Sequence, residues 1–406
     1  VSANTYRFIA PYFECDNLGP LEVKGLTTPL EVYQVKATRL VPAQARGFKD
    51  IASPMVGRER ELETLNHLCE AVRAGLGRAA LILGEPGLGK TRLIQEWQKE
   101  VRGSEAPPHL DPPERKSSCG WWVTGRCSAY SQAVAYQLII NVLRNLIGVS
   151  VGSDEPLTRA ALYNLAGELL GDEMMEVYPY LGRLLSVKLE REAEEKANIS
   201  DPQALQTMYL EAIQRLFLAC MKNNPLILIL EDLHWADSTS TELFIKLLPL
   251  ISNGPILFCL VSRPERNTAG WRLVEAARQQ LGGSLTEITL NALNEKDSRI
   301  LVANLLELES LPRRVRELIL RKAEGNPYFV EEVVRMLIER GTIVNQNGAW
   351  VAQKEISDHE VPDNLQGLLL ARIDRLPAEA RYTLLVASVI GRIFPIRVLS
   401  EVMGEV

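Results

Sequence analysis

Ala79-Ala80-Leu81-Ile82-Leu83 runs directly into Gly84-Glu85-Pro86-Gly87-Leu88-Gly89-Lys90-Thr91, and Arg92-Leu93-Ile94-Gln95-Glu96-Trp97 follows. An unbroken apolar run that ends in glycine reads as a buried strand, and the apolar spacing after Thr91 reads as an amphipathic helix. Glycines in the connecting turn let backbone N–H groups wrap a phosphate chain, and the helix beginning at Lys90 aims its positive end at the same oxygens. In this pattern the lysine neutralises β and γ phosphates and the threonine hydroxyl ligates Mg²⁺. The residues from Gly84 through Arg92 are therefore candidate nucleotide contacts.

Around this loop the chain alternates. ERELETLNHLCEAVRAG (59–75) reads as a helix, and WWVTGRC (121–127), LILILEDL (226–233), ILFCLVSR (256–263) and Leu285–Leu290 read as strands with helical crossovers between them. Continuous Leu, Ile and Val strands joined this way predict an α/β fold, a parallel sheet with helices on both faces. The stretch Ala135 to Met221 is expected to be a helical insertion, with the charge-dense Leu189–Lys196 as a solvated face. The Pro-rich segment Gly103–Ser118 is expected to hold no regular structure.

The strand Leu226–Leu230 ends in Glu231-Asp232, at the sheet edge where ligands of open α/β folds bind. These are the candidate catalytic acids: one holds Mg²⁺, with Thr91, and the other orients an attacking water. Arg263 ends the next strand at the same edge. A guanidinium there either reads the γ-phosphate through a bidentate contact or caps the strand as an ordinary surface arginine. Between the two, Thr239 and Glu242 read as a capping box that makes Asp237 structural. His234 has no metal-spaced partner among His67, His109 and His359, and Trp235 is expected in the core. Further on, Gly325-Asn326-Pro327 opens the helix YFVEEVVRMLIERG.

Composition bounds the rest. A chain of 406 residues with 46% hydrophobic and 24% charged residues is a multidomain globular protein. Its net charge of −6 offers no global positive field, so no nucleic acid is expected as a partner. Cys15, Cys69, Cys119, Cys127, Cys220 and Cys259 form no CxxC pair and fit reduced thiols in a cytoplasmic protein. No apolar run approaches the ~18 residues of a membrane span, and the opening lacks a signal-peptide layout, so no membrane partner is expected.

The opening segment reads as a short helix and two strands, Leu18–Leu26 and Leu30–Val35, the end of a larger α+β unit over residues 1–37. A linker is expected over 38–53, then the core over 54–290 and a helical unit over 291–341. Residues 342–406 begin with a hairpin turning at Asn347-Gly348 and read as an incomplete further domain.

Met55-Val56-Gly57-Arg58-Glu59, the phosphate loop, LEDLHWAD (230–237), LVSRPE (260–265) and EGNPYFVEE (324–332) together resemble the STAND branch of the AAA-related NTPases, the signal-transduction ATPases with numerous domains. The resemblance implies a P-loop NTPase three-layer core, a helical lid over 291–341 and a partial winged helix over 342–406. It also implies ATP or ADP with Mg²⁺ as cofactors. In that family Val56, Gly57 and Arg58 would lie at the adenine, Arg263 would be the first sensor, and Pro327 would touch base or ribose from the lid. The family's strand acids usually start with Asp. Glu231 is one methylene longer, which leaves the division of labour with Asp232 open and implies slow hydrolysis. The opening, with LGPLEVKG and PLEVYQV, is similar to the closing strands of class III adenylate and guanylate cyclases. Its metal-binding aspartates would lie upstream, leaving Lys24 as a weak phosphate neighbour. The reading is a nucleotide-gated switch that regulates an attached cyclase. A downstream sensor domain and oligomerisation on activation are further expected partners. Rival readings are a transcription-regulator module and a remodelling motor.

Overall fold

The computed structural model describes residues 6, 13–21, 30–38, 54–102, 116–117, 120–150, 152–306, 313–346, 349–352, 361–362, 367, 370, 373–374, 376, 378–390 and 396–403. Lys24, Cys119, linker residues 39–53 and the Asn347-Gly348 turn lie outside them.

β1 (Phe13–Leu21) and β2 (Leu30–Thr38) form an antiparallel pair. The first strand thus starts at Phe13 rather than Leu18, and the second runs past Val35 to the start of the expected linker. The pairing is irregular between Asn17 and Gly19, where the Gly19 N–H donates to Asn17 Oδ1 at 2.8 Å and Gly19 takes φ +81°. That local kink hides the strand's alternation from a reading of sequence.

The core follows in the order α1 (Glu59–Arg73), β3 (Arg78–Gly84), α2 (Lys90–Arg102), β4 (Lys116–Ser117), β5 (Gly120–Arg126). Five inserted helices come next: α3 (Gln137–Ile147), α4 (Glu155–Leu170), α5 (Tyr178–Leu184), α6 (Arg191–Ala197) and α7 (Pro202–Met221). β6 (Leu226–Glu231), α8 (Ser238–Leu247), β7 (Ile256–Ser262), α9 (Ala269–Leu281) and β8 (Leu285–Leu290) complete it. The sheet order is β4-β5-β6-β7-β3-β8, parallel except for β4. Part of the segment expected to lack structure, Lys116–Ser117, instead pairs antiparallel with Gly120 and Trp121. The outer edge of β5 offers unpaired backbone groups that a short strand can satisfy.

Side-chain alternation divides the core. Leu81, Val123, Leu228, Leu230, Phe258 and Leu260 share one buried cluster with the inserted helices and with α8 and α9. Ala80, Ile82, Trp122, Ile227, Ile229, Leu257 and Cys259 share another with Leu65, Val72, Leu93 and Trp97 of α1 and α2. Burial of each such large side chain stabilises the fold by about 1.5–3 kcal/mol before entropy is counted. The run Leu189–Lys196 behaves as expected: α6 buries Ala193 and Ala197 and exposes Glu192, Glu194 and Glu195.

Asp237, not Thr239, caps α8. Its carboxylate accepts from Ser240 N at 2.7 Å, and also from Tyr136 N (3.0 Å) and Leu138 N (3.2 Å) at the start of α3. Thr239 serves this carboxylate, donating its hydroxyl to Asp237 Oδ1 at 2.7 Å. Glu242 faces Arg272 instead of closing a box. One buried acid therefore starts two helices.

Beyond the sheet, α10 (Glu295–Leu306), α11 (Arg313–Ala323) and α12 (Pro327–Glu339) form a helical lid with its own core of Leu301, Leu305, Leu318, Ile319, Phe329, Val333 and Leu337. β9 (Ile343–Gln346) and β10 (Ala349–Ala352) pair antiparallel, and α13 (Ala378–Ile390) and α14 (Ile396–Met403) follow. Among the described residues no helix is long and apolar enough to cross a membrane.

Candidate nucleotide site

The strand order decides what meets at the carboxyl edge of the sheet. β7 lies between β3 and β6, so Arg263, just past β7, stands between the phosphate loop that follows β3 and the acids that end β6. This is the edge at which open α/β sheets bind ligands.

In the loop, Gly87 and Gly89 take φ +85° and +91°, values that L side chains avoid. A Cβ on Gly87 would also lie 2.5 Å from Asn326 Oδ1. Leu88 is buried and anchors the turn in the core beneath it. Lys90 is 8% exposed, and its Nζ donates to the carbonyls of Gly84 (2.6 Å) and Glu85 (3.0 Å). Burial and the nearby Arg263 charge lower its pKa, against the opposing pull of Asp232 and Glu85. A buried ammonium held by neutral carbonyls, beside a guanidinium and at a helix N-terminus, suits an anion: the phosphates of a nucleotide fit here.

Across the edge, Glu231 is buried and Asp232 takes a left-handed backbone (φ 58°, ψ 39°), which turns the chain sharply into Leu233–Trp235. Aspartate is among the few residues that tolerate this conformation. The hydroxyl of Thr91 and these two carboxylates form an all-oxygen donor set of the kind Mg²⁺ takes. A residue passed over in the sequence joins them. Arg126, at the end of β5, donates to Glu231 Oε2 at 2.8 Å and lies 3.6 Å from Asp232 Oδ2. It is the last residue of its strand, as Arg263 is the first residue after β7, and the same reading of strand ends would have found it. His234 is 1% exposed with neither ring nitrogen hydrogen-bonded, and burial first, then Arg263, lowers its pKa. Trp235 is partly buried against the main core. Arg263 pairs with Glu265 at 3.4 Å and is near enough to Lys90 to depress it.

Val56, Gly57 and Arg58 lie where core and lid join. Val56 packs on the lid cluster, and a Cβ on Gly57 (φ +67°) would meet Asp297 Oδ2 of α10 at 2.5 Å. Arg58 donates to Asn291 O (2.6 Å), Leu88 O (3.3 Å) and Glu61 (3.3 Å), joining the phosphate loop to the segment that enters the lid. Arg92 reaches Glu96 (3.5 Å) and Glu331 of α12 (3.8 Å). Pro327 occupies the first turn of α12, capped by Asn326, whose Oδ1 accepts from Tyr328 N and Phe329 N. The Asn326 amide donates to Pro86 O at 3.1 Å, and Tyr328 N to Gly87 O at 3.3 Å. Asn326, inside the motif that pointed to Pro327, thus touches the loop through its side chain, beside the backbone contact of Tyr328. Of the described cysteines, Cys69, Cys127, Cys220 and Cys259 are buried and Cys15 is partly exposed.

Comparison with known proteins agrees with this geometry in part. A family of unknown function, DUF8739, matches residues 294–350. An uncharacterized protein of Rhizobium meliloti (strain 1021) is 25% identical over 78% of this chain, and adenylate cyclase type 10 of Rattus norvegicus is 20% identical over 80% of it. The chain spans 28% and 19% of the length of these relatives. Among solved structures, Aeropyrum pernix ORC1 in complex with DNA matches at 13% identity and TM-score 0.42, over 84% of this chain and 73% of that one. Drosophila ORC bound to DNA matches at 13% identity and TM-score 0.43, over 94% and 78%. The exclusion of nucleic acid drawn from net charge is withdrawn, because −6 is a sum over the whole chain and says nothing about a local basic surface; both of these neighbours were solved with DNA. The AAA ATPase domain model matches residues 54–261, from Pro54 through β6 and into β7, and the chain belongs to the AAA ATPase domain family.

Proposed function

We propose that this chain is a Mg²⁺-ATP-dependent switch, in which the nucleotide at the phosphate loop sets how the lid packs on the core, and that it regulates an attached nucleotide cyclase. The observation that carries the switch is the direct contact of lid and loop, Asn326 Nδ2 to Pro86 O at 3.1 Å with Tyr328 N to Gly87 O at 3.3 Å. A ligand moves a conformational equilibrium only through contacts that differ between the states, and phosphates wrapped by this loop act on the carbonyl-bearing turn that the lid rests on.

In this reading Lys90 binds the β and γ phosphates and Arg263 distinguishes ATP from ADP. Val56, Gly57, Arg58 and Pro327 flank the base, at the junction of core and lid. Thr91, Glu231 and Asp232 would hold Mg²⁺, which when bound supplies charge neutralisation at the phosphates. The second carboxylate of the pair orients water. The likeness to a mammalian adenylate cyclase and the cyclase-like β1–β2 sequence support the cyclase as the regulated partner.

Calorimetry with ATP and ADP in Mg²⁺, paired with hydrogen exchange of α12, tests the switch. ATP should bind and change the protection of Tyr328 and Phe329 relative to ADP. Binding without any change in α12 would leave an ATPase that does not signal through its lid. In the longer cyclase-containing protein, Lys90→Ala should alter cyclic-nucleotide synthesis. Unaltered synthesis would remove the cyclase from the proposal.

A further inference from the structure

Parallel pairing sets Arg126 directly opposite Glu231, the last residues of β5 and β6. From that position one guanidinium reaches oxygens of three residues, Thr91 on α2 and Glu231 and Asp232 at the end of β6. Its Nη2 lies 2.8 Å from Glu231 Oε2 and 3.4 Å from Thr91 Oγ1, and its Nε lies 3.6 Å from Asp232 Oδ2. These are the same three oxygen donors assigned above to a divalent ion. We propose that Arg126 is a resident counter-cation of the metal site, and that a divalent ion must displace it to take those oxygens. The inference rests on the Mg²⁺-nucleotide reading and adds a control to it.

The chemistry explains why such a residue stands there. The Glu231 side chain is 8% exposed, and a buried carboxylate without a partner is strongly destabilising. Arg126 neutralises it whenever no metal does. Burial opposes the guanidinium charge, but Glu231 and Asp232 together outweigh it and strengthen its hold on the proton. Two cations cannot share these donors at contact distance without strong mutual repulsion.

Displacement is also built in. Arg126 Nε is buried without a hydrogen bond, its approach to Asp232 being too long for one, so the guanidinium is not fully satisfied where it lies. The side chain is 37% exposed, which leaves it a way out to solvent. While Arg126 is paired, the carboxylates of Glu231 and Asp232 face its guanidinium rather than a metal or a water. In this proposal hydrolysis and metal binding wait on the same movement.

Titration of the purified chain with Mn²⁺, followed by the spectrum of the free ion, tests the competition with and without ATP. Arg126→Gln should bind Mn²⁺ about ten-fold or more tightly than the wild type, while Arg126→Lys, which keeps the charge, should stay close to it. Equal or weaker Mn²⁺ binding by a folded Arg126→Gln variant overturns the proposal, because the arginine would then help to build the site. If that variant does not fold, the wild type decides: dicarbonyl modification of Arg126, read by mass spectrometry, should rise when Mn²⁺-ATP is added, and unchanged modification overturns the proposal. Mn²⁺ without nucleotide separates the two readings. Tighter Mn²⁺ binding by Arg126→Gln in a chain that binds no ATP supports Arg126 and sinks the nucleotide switch. Normal Mg²⁺-ATP binding with no effect of Arg126→Gln on Mn²⁺ sinks Arg126 alone.

Discussion

The side-chain amide of Asn326 donates to the carbonyl of Pro86 at 3.1 Å, so the first turn of the lid rests on the phosphate loop itself. The same side chain caps α12 through Tyr328 N and Phe329 N. Cap and latch are one residue, and substitutions can separate them. Asn326→Asp keeps the accepting oxygen and loses the amide donor. Its stability should stay near that of the wild type while hydrogen exchange in α12 speeds up. Asn326→Ala should lose about 1–2 kcal/mol as well, the usual cost of an N-cap. Equal exchange in all three proteins would show that the contact with Pro86 does not hold the lid.

Lys90 is held by the carbonyls of Gly84 and Glu85, and in the proposed site phosphate oxygens would take over these bonds. Lys90→Ala should leave the fold intact and weaken Mg²⁺-ATP binding by about 1.5–3 kcal/mol, ten-fold or more. Calorimetry on the folded variant checks this. Unchanged affinity would remove the loop from the site.

Arg263 stands between loop and acids, with only Glu265 as its ion-pair partner among the described residues. In the proposed site, ADP would offer it nothing where ATP would offer a γ-phosphate. Arg263→Ala should therefore shift the ATP-to-ADP affinity ratio by about ten-fold while leaving ADP binding nearly unchanged. Equal losses for both nucleotides would make Arg263 a support of the fold.

Asp237 starts two helices from one buried carboxylate, accepting from Ser240 N, Tyr136 N and Leu138 N. Asp237→Ala leaves buried donors at the start of both α3 and α8 and should cost about 2–4 kcal/mol in urea unfolding. Asp237→Asn keeps an accepting oxygen and should cost less. A loss below about 0.5 kcal/mol for the alanine variant would mean that water replaces the carboxylate at both helices.

Much of this molecule is local. The glycines and Lys90 of the phosphate loop fall within eight consecutive residues, between a strand that is apolar from Ala79 to Leu83 and an amphipathic helix, and those signals do not depend on the rest of the chain. Glu231 and Asp232 are legible for the same reason, as the polar end of a fully buried strand. Capping of α8 misled because Ser, Thr and Asp at positions 237–241 offer several competing starts, and only the packing of α3 against α8 favours Asp237. β4 escaped notice because two residues have no periodicity, and it exists only because β5 presents an edge.

By itself, then, the sequence determined the α/β core, the loop and the strand-end acids, each of which is written in contiguous residues with a short period. Only the tertiary structure decided which charges meet. Arg126 reaches Glu231 across 105 residues and Asn326 reaches Pro86 across 240, through the insertion of five helices between β5 and β6 and the folding of the lid onto the core. Such pairs carry no local signature, because strand order and lid position are set by burial summed over the whole fold, and that sum is not written in any one segment.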